Sequence, residues 1–206
     1  MILHHDDGLI VADKPAGLPT VPGRPPELHD CLWHRVREQW PDALVVHRLD
    51  MATSGLVLFA RGVDMQRSLS MAFAQRQVGK GYEAIAAGEL QDDTGEIALP
   101  LAADWPDRPR QKVDAEHGKH SVTRWRVLER GIPPGATRLA LEPLTGRTHQ
   151  LRVHLAAIGH PLLGDTLYAP PELAAAAPRL LLHATRLAFV HPGDGRALSF
   201  ESAAPF

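Results

Sequence analysis

The sequence has a single cysteine, Cys31, among its 206 residues. An intramolecular disulfide is therefore impossible, and a zinc site built from several cysteines is excluded. No apolar run approaches the roughly 18 residues that a membrane-spanning helix requires. The first seven residues hold two histidines and two aspartates, which is unlike the positive and apolar regions of a secretory signal. We therefore expect a cytoplasmic protein without a membrane partner.

An excess of charge of either sign is also missing. The chain carries 22 Lys+Arg against 24 Asp+Glu, a formal net charge of −2. Domains that bind nucleic acid are usually basic, so the total charge by itself argues against such a partner. Apolar residues make up 44% of the chain and charged residues 22%, which is typical of a folded globular protein. The length suits one compact domain.

Apolar runs separated by turn residues predict that strands dominate the fold. The predicted strands cover residues 8–13, 43–46, 55–60, 82–87, 121–128, 137–142, 180–190 and 197–201. The polar stretch 91–119 is interpreted as an insertion or a long connection. Because the order is irregular and shows no alternation of strand and helix, we expect an α+β fold with a mostly antiparallel, mixed β-sheet core and flanking helices.

Three helices are expected beside the strands. Leu32, Val36 and Trp40 recur at helical spacing and predict a helix near 29–39. Asp64 can cap a second helix, whose apolar face carries Met65, Leu69 and Phe73. In the third, Thr148 is the expected cap and Gly159 the expected end.

The segment from Val46 to Gly55 is a short polar loop between two apolar strands, where functional sites are often built. Asp50 follows Arg48 by two residues and precedes a pair of hydroxyl residues. A carboxylate held there can act as a nucleophile or take a proton. The alternative is a turn in which the aspartate side chain bonds its own backbone.

The second polar segment, residues 144–154, places many hydrogen-bond donors around a helix start, which favours anions. Its donors are Arg147, His149, Gln150 and Arg152. The alternative is a solvated helix face. The spacing of the histidines in and after this segment does not fit a helical metal-ligand pair, so no metal is predicted.

Six basic side chains lie between residues 108 and 126, with only two acidic ones, so this stretch has a charge of +4. They are Arg108, Arg110, Lys112, Lys119, Arg124 and Arg126. Trp105 and Trp125 lie close by in the sequence. Basic residues with aromatic neighbours suit RNA, whose bases can stack on the rings. The alternative is a solvated hairpin.

Taken together, several short motifs resemble those of the RluA-type pseudouridine synthases, in the same order and over nearly the whole chain. They are Asp13-Lys14-Pro15-Ala16-Gly17-Leu18, His47-Arg48-Leu49-Asp50 with Thr53-Ser54-Gly55, residues 146–154, Gly159 to Asp165, and Leu181-Leu182-His183-Ala184. Further agreement at residues 21–24, 104–113 and 177–180 is with the branch that acts on both tRNA and large-subunit rRNA.

The resemblance implies a pseudouridine synthase catalytic domain in two lobes over residues 1–206, without the N-terminal S4-type RNA-binding domain of several relatives. It implies an isomerisation that needs no cofactor. The catalytic aspartate falls on Asp50, its basic partner on Arg152 and the aromatic residue on Tyr82. An arginine beside Asp50 would keep the carboxylate ionised, and Tyr82 could stack on the flipped base.

The resemblance also implies that Arg48 fills the gap left by the flipped base. We expect the remaining RNA contacts from two groups of residues. The first is His47, Arg147, His149 and Gln150, and the second is Arg108, Arg110, Lys112, Arg124 and Arg126. The expected partners are stem-loops of tRNA, with the anticodon loop foremost, and of 23S rRNA, bound by a monomer. His120 stands where the family has proline.

Two other functions compete with this one. A non-catalytic RNA-binding protein or chaperone on the same fold would not need Asp50, Tyr82 and Arg152. A hydrolase with paired carboxylates, such as a glycosidase, would release a free base or sugar.

Overall fold

The structure, a computed structural model, describes all residues from 1 to 206. The chain forms twelve strands and four α-helices. It divides into two compact units, Met1–Lys80 with Ala184–Pro205, and Gly81–His183 with Phe206. The predicted α+β class is confirmed. No helix combines the length and the apolar character needed to cross a membrane.

The first unit is built on antiparallel strand pairs. Its elements are β1 (Ile2–His5), β2 (Leu9–Lys14), α1 (Leu32–Arg37), β3 (Ala43–Val45), β4 (Ser54–Arg61), α2 (Val63–Ala74), most of β11 (Leu182–Val190) and β12 (Ala197–Glu201). Strand β2 lies between β1 and β4, β3 pairs with the end of β4, and β12 pairs with β11. Helix α1 is shorter than the predicted 29–39, and a single 3-10 turn precedes it.

The core of the first unit lies around β2 and β4. Leu9–Ala12 and Leu56–Ala60 have no exposed surface at all, as continuous apolar runs predict for strands covered on both faces. Helix α2 contributes Leu69 to this core, and Met65 and Phe73 pack against it from the same helix face. The predicted apolar face of α2 is thus confirmed.

The second unit contains a run of four antiparallel strands and a separate hairpin. Its elements are β5 (Gly79–Ala87, which begins in the first unit), β6 (Thr94–Ile97), β7 (Leu101–Ala103), β8 (Gln111–Val113), β9 (Thr123–Arg130), β10 (Ala136–Pro143), α3 (Gln150–Ala157) and α4 (Pro171–Ala174). The strand order is β5-β10-β9-β6, and β7 pairs only with β8. The interpretation of 91–119 as an insertion or a long connection missed three strands that lie there and are too short to show alternation.

Two helix starts differ from the prediction. Helix α2 begins one residue before Asp64, whose side chain is fully exposed, and Gly62 is the capping residue. Helix α3 is preceded by His149 in the left-handed conformation, with φ 54°, so Thr148 is not its cap. The predicted end of α3 is confirmed, since Gly159 follows it with φ 86°.

Two glycines next to functional motifs cannot be replaced without moving backbone. Gly55 has φ 110°, and a Cβ there would collide with the backbone of Ala184. Gly164 has φ 74°, and a Cβ there would collide with the backbone of Arg179. Only glycine combines this conformation with so close an approach.

His47 connects the loop between β3 and β4 to the core of the first unit. Its Nε2 atom accepts a hydrogen bond from the Leu58 backbone N–H at 2.9 Å, and its ring stacks on Phe73 with centroids 4.6 Å apart. A ring nitrogen that accepts a hydrogen bond belongs to a neutral imidazole. Burial, with a smaller contribution from the positive charge of Lys80, lowers the pKa of His47 to about 3.

We expect His47 to remain neutral at pH 5, which NMR of the imidazole nitrogens would test. In the unfolded chain the His47 imidazole is protonated below about pH 6.5, whereas in the folded chain it stays neutral down to about pH 3. The free energy of unfolding therefore falls as the pH decreases from 6.5 towards 3. The loss is up to about 1.4 kcal/mol per pH unit. His47→Gln keeps an acceptor for Leu58 and does not titrate, so its urea-unfolding free energy should fall less over this range. An imidazolium at pH 6 would contradict the expectation.

Candidate functional site

The backbone on both sides of Asp50 is fixed by residues that follow or end β2. The hydroxyl of Thr20 donates to the Leu49 carbonyl at 2.9 Å and accepts from the Leu49 N–H at 3.1 Å. The Met51 carbonyl accepts from Lys14 Nζ at 3.1 Å. The loop that carries Asp50 is therefore held in place before and after the carboxylate.

Lys14 is among the largest side chains without any exposed surface. Its ammonium group also donates to the carbonyls of Pro15 at 3.0 Å and Leu18 at 2.7 Å. A buried ammonium is costly unless such bonds satisfy it. Lys14 lies in one of the motifs that resemble the family, but the motif by itself gives it no role. The signal was a lysine at the end of a strand that begins with the four buried apolar residues Leu9–Ala12.

The side chains around Asp50 alternate between interior and surface. Leu49 is buried, Arg48 is exposed and Asp50 is half-buried. A main-chain hydrogen bond of 3.1 Å from the Thr53 N–H to the Asp50 carbonyl closes the turn. Asp50 thus lies partly accessible on a fixed turn, and Arg48, two residues earlier, is exposed.

In the second unit, Arg152 and Asp165 form a buried ion pair. Arg152 Nε donates to Asp165 Oδ2 at 2.8 Å and Nη2 donates to Oδ1 at 2.7 Å, with the two side chains 4% and 0% exposed. Asp165 Oδ1 also accepts from the backbone N–H groups of Leu167 and Tyr168. Two parallel bonds of this kind fix the plane of a guanidinium. Asp165 is a positioning residue that the sequence analysis did not single out, although it ends one of the quoted motifs.

Tyr168 contacts several of the residues that were predicted to belong to the site. Its ring lies 5.1 Å from Arg152 Cζ and 5.5 Å from Arg110 Cζ, within the range of cation–π attraction. Its hydroxyl lies 2.6 Å from His149 Nδ1 and accepts from the Gln111 N–H at 2.8 Å. Tyr168 thereby links the start of α3 to strand β8. No motif pointed to it.

Gln150 serves the interior of the second unit. It is 4% exposed, its Oε1 accepts from the Thr145 hydroxyl at 2.6 Å, and its Nε2 donates to the Val122 carbonyl and the Thr123 hydroxyl. These contacts give its amide a structural role, as those of His47 do for that ring. RNA contacts for both residues stay predictions that their surroundings do not support.

Other predicted residues lie at the surface or in part exposed. Tyr82 is half-buried on β5, opposite Leu141 of β10. Arg147 is exposed, and its Nε donates to the carbonyl of His120 at 3.3 Å. The residue that departs from the family pattern is therefore in contact with a predicted RNA-binding arginine.

Strand β9 presents the predicted cationic face. Arg124 and Arg126 are exposed, whereas the intervening Trp125 is half-buried over Gly95. Arg124 forms an exposed ion pair of 3.1 Å with Glu96, and solvent screens such pairs strongly.

The hairpin of β7 and β8 carries the remaining basic residues. Arg108 lies near its tip, with Cζ 3.6 Å from the centroid of the Trp105 ring. Lys112 is exposed on β8. Across the chain, no three His, Cys, Asp or Glu side chains are grouped in a way that could hold a metal ion.

Comparisons with known proteins agree with one another. The model of the family described as RNA pseudouridylate synthase matches residues 8–157. A Pasteurella multocida protein named dual-specificity RNA pseudouridine synthase RluA is 48% identical over 205 residues, covering 100% of this chain and 93% of the other. The protein of the same name from Escherichia coli K12 is 46% identical over 206 residues, with coverage of 100% and 94%.

A solved structure gives the same result for the fold. Human RNA pseudouridylate synthase domain containing 1 aligns with a TM-score of 0.83 at 28% identity, over 100% of this chain and 83% of the human one. The family match spans most of the chain, and the sequence identity to the bacterial relatives extends over its full length. This chain therefore belongs to the RNA pseudouridylate synthase family and is an isomerase that acts on RNA.

Proposed function

We propose that this RNA pseudouridine synthase modifies uridines in two kinds of RNA, the anticodon stem-loop of tRNA and a stem-loop of 23S rRNA. Support comes from relatives 46% to 48% identical over the full chain, whose name describes them as dual-specificity enzymes. We propose that it acts as a monomer in the cytoplasm, where both RNAs are found.

We propose Asp50 as the catalytic carboxylate. In the reaction the bond between uracil N1 and ribose C1′ breaks, the base turns, and C5 forms a new bond to C1′ while its proton is lost and N1 gains one. Two roles are open to the carboxylate: covalent attack, or removal of a proton. Both require a fixed group, and the observation that carries the proposal is the clamping of the backbone on either side of Asp50 by Thr20 and Lys14.

Three further roles are proposed around this step. Arg152, whose guanidinium Asp165 holds in one plane, supplies an oriented positive charge. Tyr82 stacks on the flipped base and assists removal of the proton. Arg48 occupies the space that the base leaves, which recovers part of the cost of unstacking.

Mapping of pseudouridines in total RNA tests the proposed substrates. Cells that lack the gene should lose one pseudouridine in a tRNA anticodon loop and one in 23S rRNA, and expression of the protein should restore both. A chemical label specific for pseudouridine is the measurement, because uridine and pseudouridine have the same mass. Loss of one site only would contradict dual specificity.

Asp50→Ala should abolish pseudouridine formation, lowering the rate at least about 10³-fold, because it removes the reacting group. RNA affinity should remain largely intact. Asp64→Ala is the matched control, since Asp64 is a fully exposed carboxylate of the same unit, and it should keep full activity. Activity that survives in the Asp50 variant would overturn the mechanism, and release of free uracil would indicate a hydrolase.

Arg152 can be tested apart from its effect on folding. Arg152→Met leaves Asp165 as a buried unpaired charge and should cost about 3–5 kcal/mol of stability. Adding Asp165→Asn removes that charge and keeps an acceptor for the turn, so stability should largely return while activity stays low. Urea unfolding and pseudouridine formation are measured side by side, with Arg152→Lys as the charge-conserving comparison. An active double variant would show that Arg152 has only a structural role.

A further inference from the structure

We propose that Trp105 and Arg108, at the tip of the β7–β8 hairpin, form a platform on which an unpaired base of the RNA substrate stacks. Trp105 is 69% exposed. An exposed indole offers a flat apolar face on which another ring can stack. The inference rests on RNA as the substrate and does not depend on the roles proposed for Asp50, Tyr82 and Arg152.

The indole ring is held in a defined orientation. The guanidinium of Arg108 stacks on it, with Cζ 3.6 Å from the ring centroid, while more than two thirds of the Trp105 surface stays open to solvent. Such a contact is favourable in itself and reduces the freedom that the ring would lose when a base stacks on it. Arginine and aromatic rings together are the usual surface for unpaired bases.

The hairpin that presents the ring is closed and anchored by its backbone. Asp104 N–H donates to the Arg110 carbonyl at 3.0 Å, and Arg110 N–H donates to the Asp107 carbonyl at 2.8 Å. Where the loop joins β8, the Gln111 N–H donates to the Tyr168 hydroxyl. The exposed tip therefore extends from a fixed support within the second unit.

The charges around the tip favour a nucleic acid over an apolar protein surface. Arg108, Arg110 and Lys112 stand against Asp104 and Asp107, so this segment has a charge of +1. Basic side chains attract the phosphates, and the ring accepts a base of any sequence because every base has a flat face. A loop of single-stranded RNA offers both features together, whereas the bases of a duplex are stacked and out of reach.

The test uses the full chain and an RNA stem-loop selected beforehand because the wild-type protein converts one of its loop uridines. Binding of this RNA is compared for Trp105→Ala, Trp105→Phe and Ile132→Ala. Ile132 is the matched control, as it is 57% exposed on a loop of the same unit. Each measurement is repeated on RNAs in which one loop nucleotide at a time, other than the target, is made abasic.

We expect Trp105→Ala to weaken binding about 5- to 150-fold, with KM raised and kcat unchanged. Trp105→Phe should restore most of the affinity, Ile132→Ala should change nothing, and one abasic position should abolish the difference between Trp105→Ala and wild type. The salt dependence of binding should be unchanged in Trp105→Ala, whereas Lys112→Ala should reduce its slope by about 1.

The proposal is overturned if Trp105→Ala weakens binding by less than about twofold, or if the loss of affinity persists with every abasic RNA. It is overturned as well if Trp105→Ala changes the slope of the salt dependence of binding. It is also overturned if Trp105→Ala alters self-association in sedimentation and not RNA binding, which would make the ring a protein contact.

Discussion

The buried ammonium group of Lys14 is the interaction on which the candidate catalytic loop depends. Lys14 ends β2 with no exposed surface, and its protons are directed at carbonyls from the segment after β2 and from the Asp50 loop. Because a charge in the interior is costly without such partners, the chain is stable only when these carbonyls converge. The contacts that stabilise the first unit are thus the same contacts that place Asp50. The loop is therefore ordered before RNA binds.

The second unit also contains a buried cation that needs partners, and here a carboxylate takes the place of the carbonyl groups. Arg152 is buried against Asp165, which in turn is bonded to the backbone of the turn that contains Tyr168. A buried ion pair contributes little net stability, but it tolerates only one geometry. Gly164, the residue before Asp165, passes so close to the backbone of Arg179 that no side chain fits there.

The sequence was informative where burial is continuous along a strand or periodic along a helix, and uninformative where backbone contacts decide the structure. Strands β2 and β4 and the apolar face of α2 could be predicted because their side chains are buried in regular patterns. The hairpin of β7 and β8 has no such pattern, since only Leu101 among its six strand residues is deeply buried. The motif residues identified the family, but they did not show which side chains point into the interior and which face the solvent. Gln150 turns inward, and the role of Asp165 depends on a residue thirteen positions earlier.

The net charge of −2 has a structural meaning that the total alone does not reveal. Several arginines of the second unit are paired with acids, as in Arg124–Glu96, Arg130–Asp93 and Arg138–Glu83. Paired cations add little to the long-range field that attracts a polyanion. We therefore expect a few local contacts to hold the RNA, and a low, salt-sensitive affinity for any stretch of phosphates. Electrostatic attraction does not distinguish one RNA from another. Such an enzyme must select its target by the shape of a loop and by the ease with which its bases leave the stack.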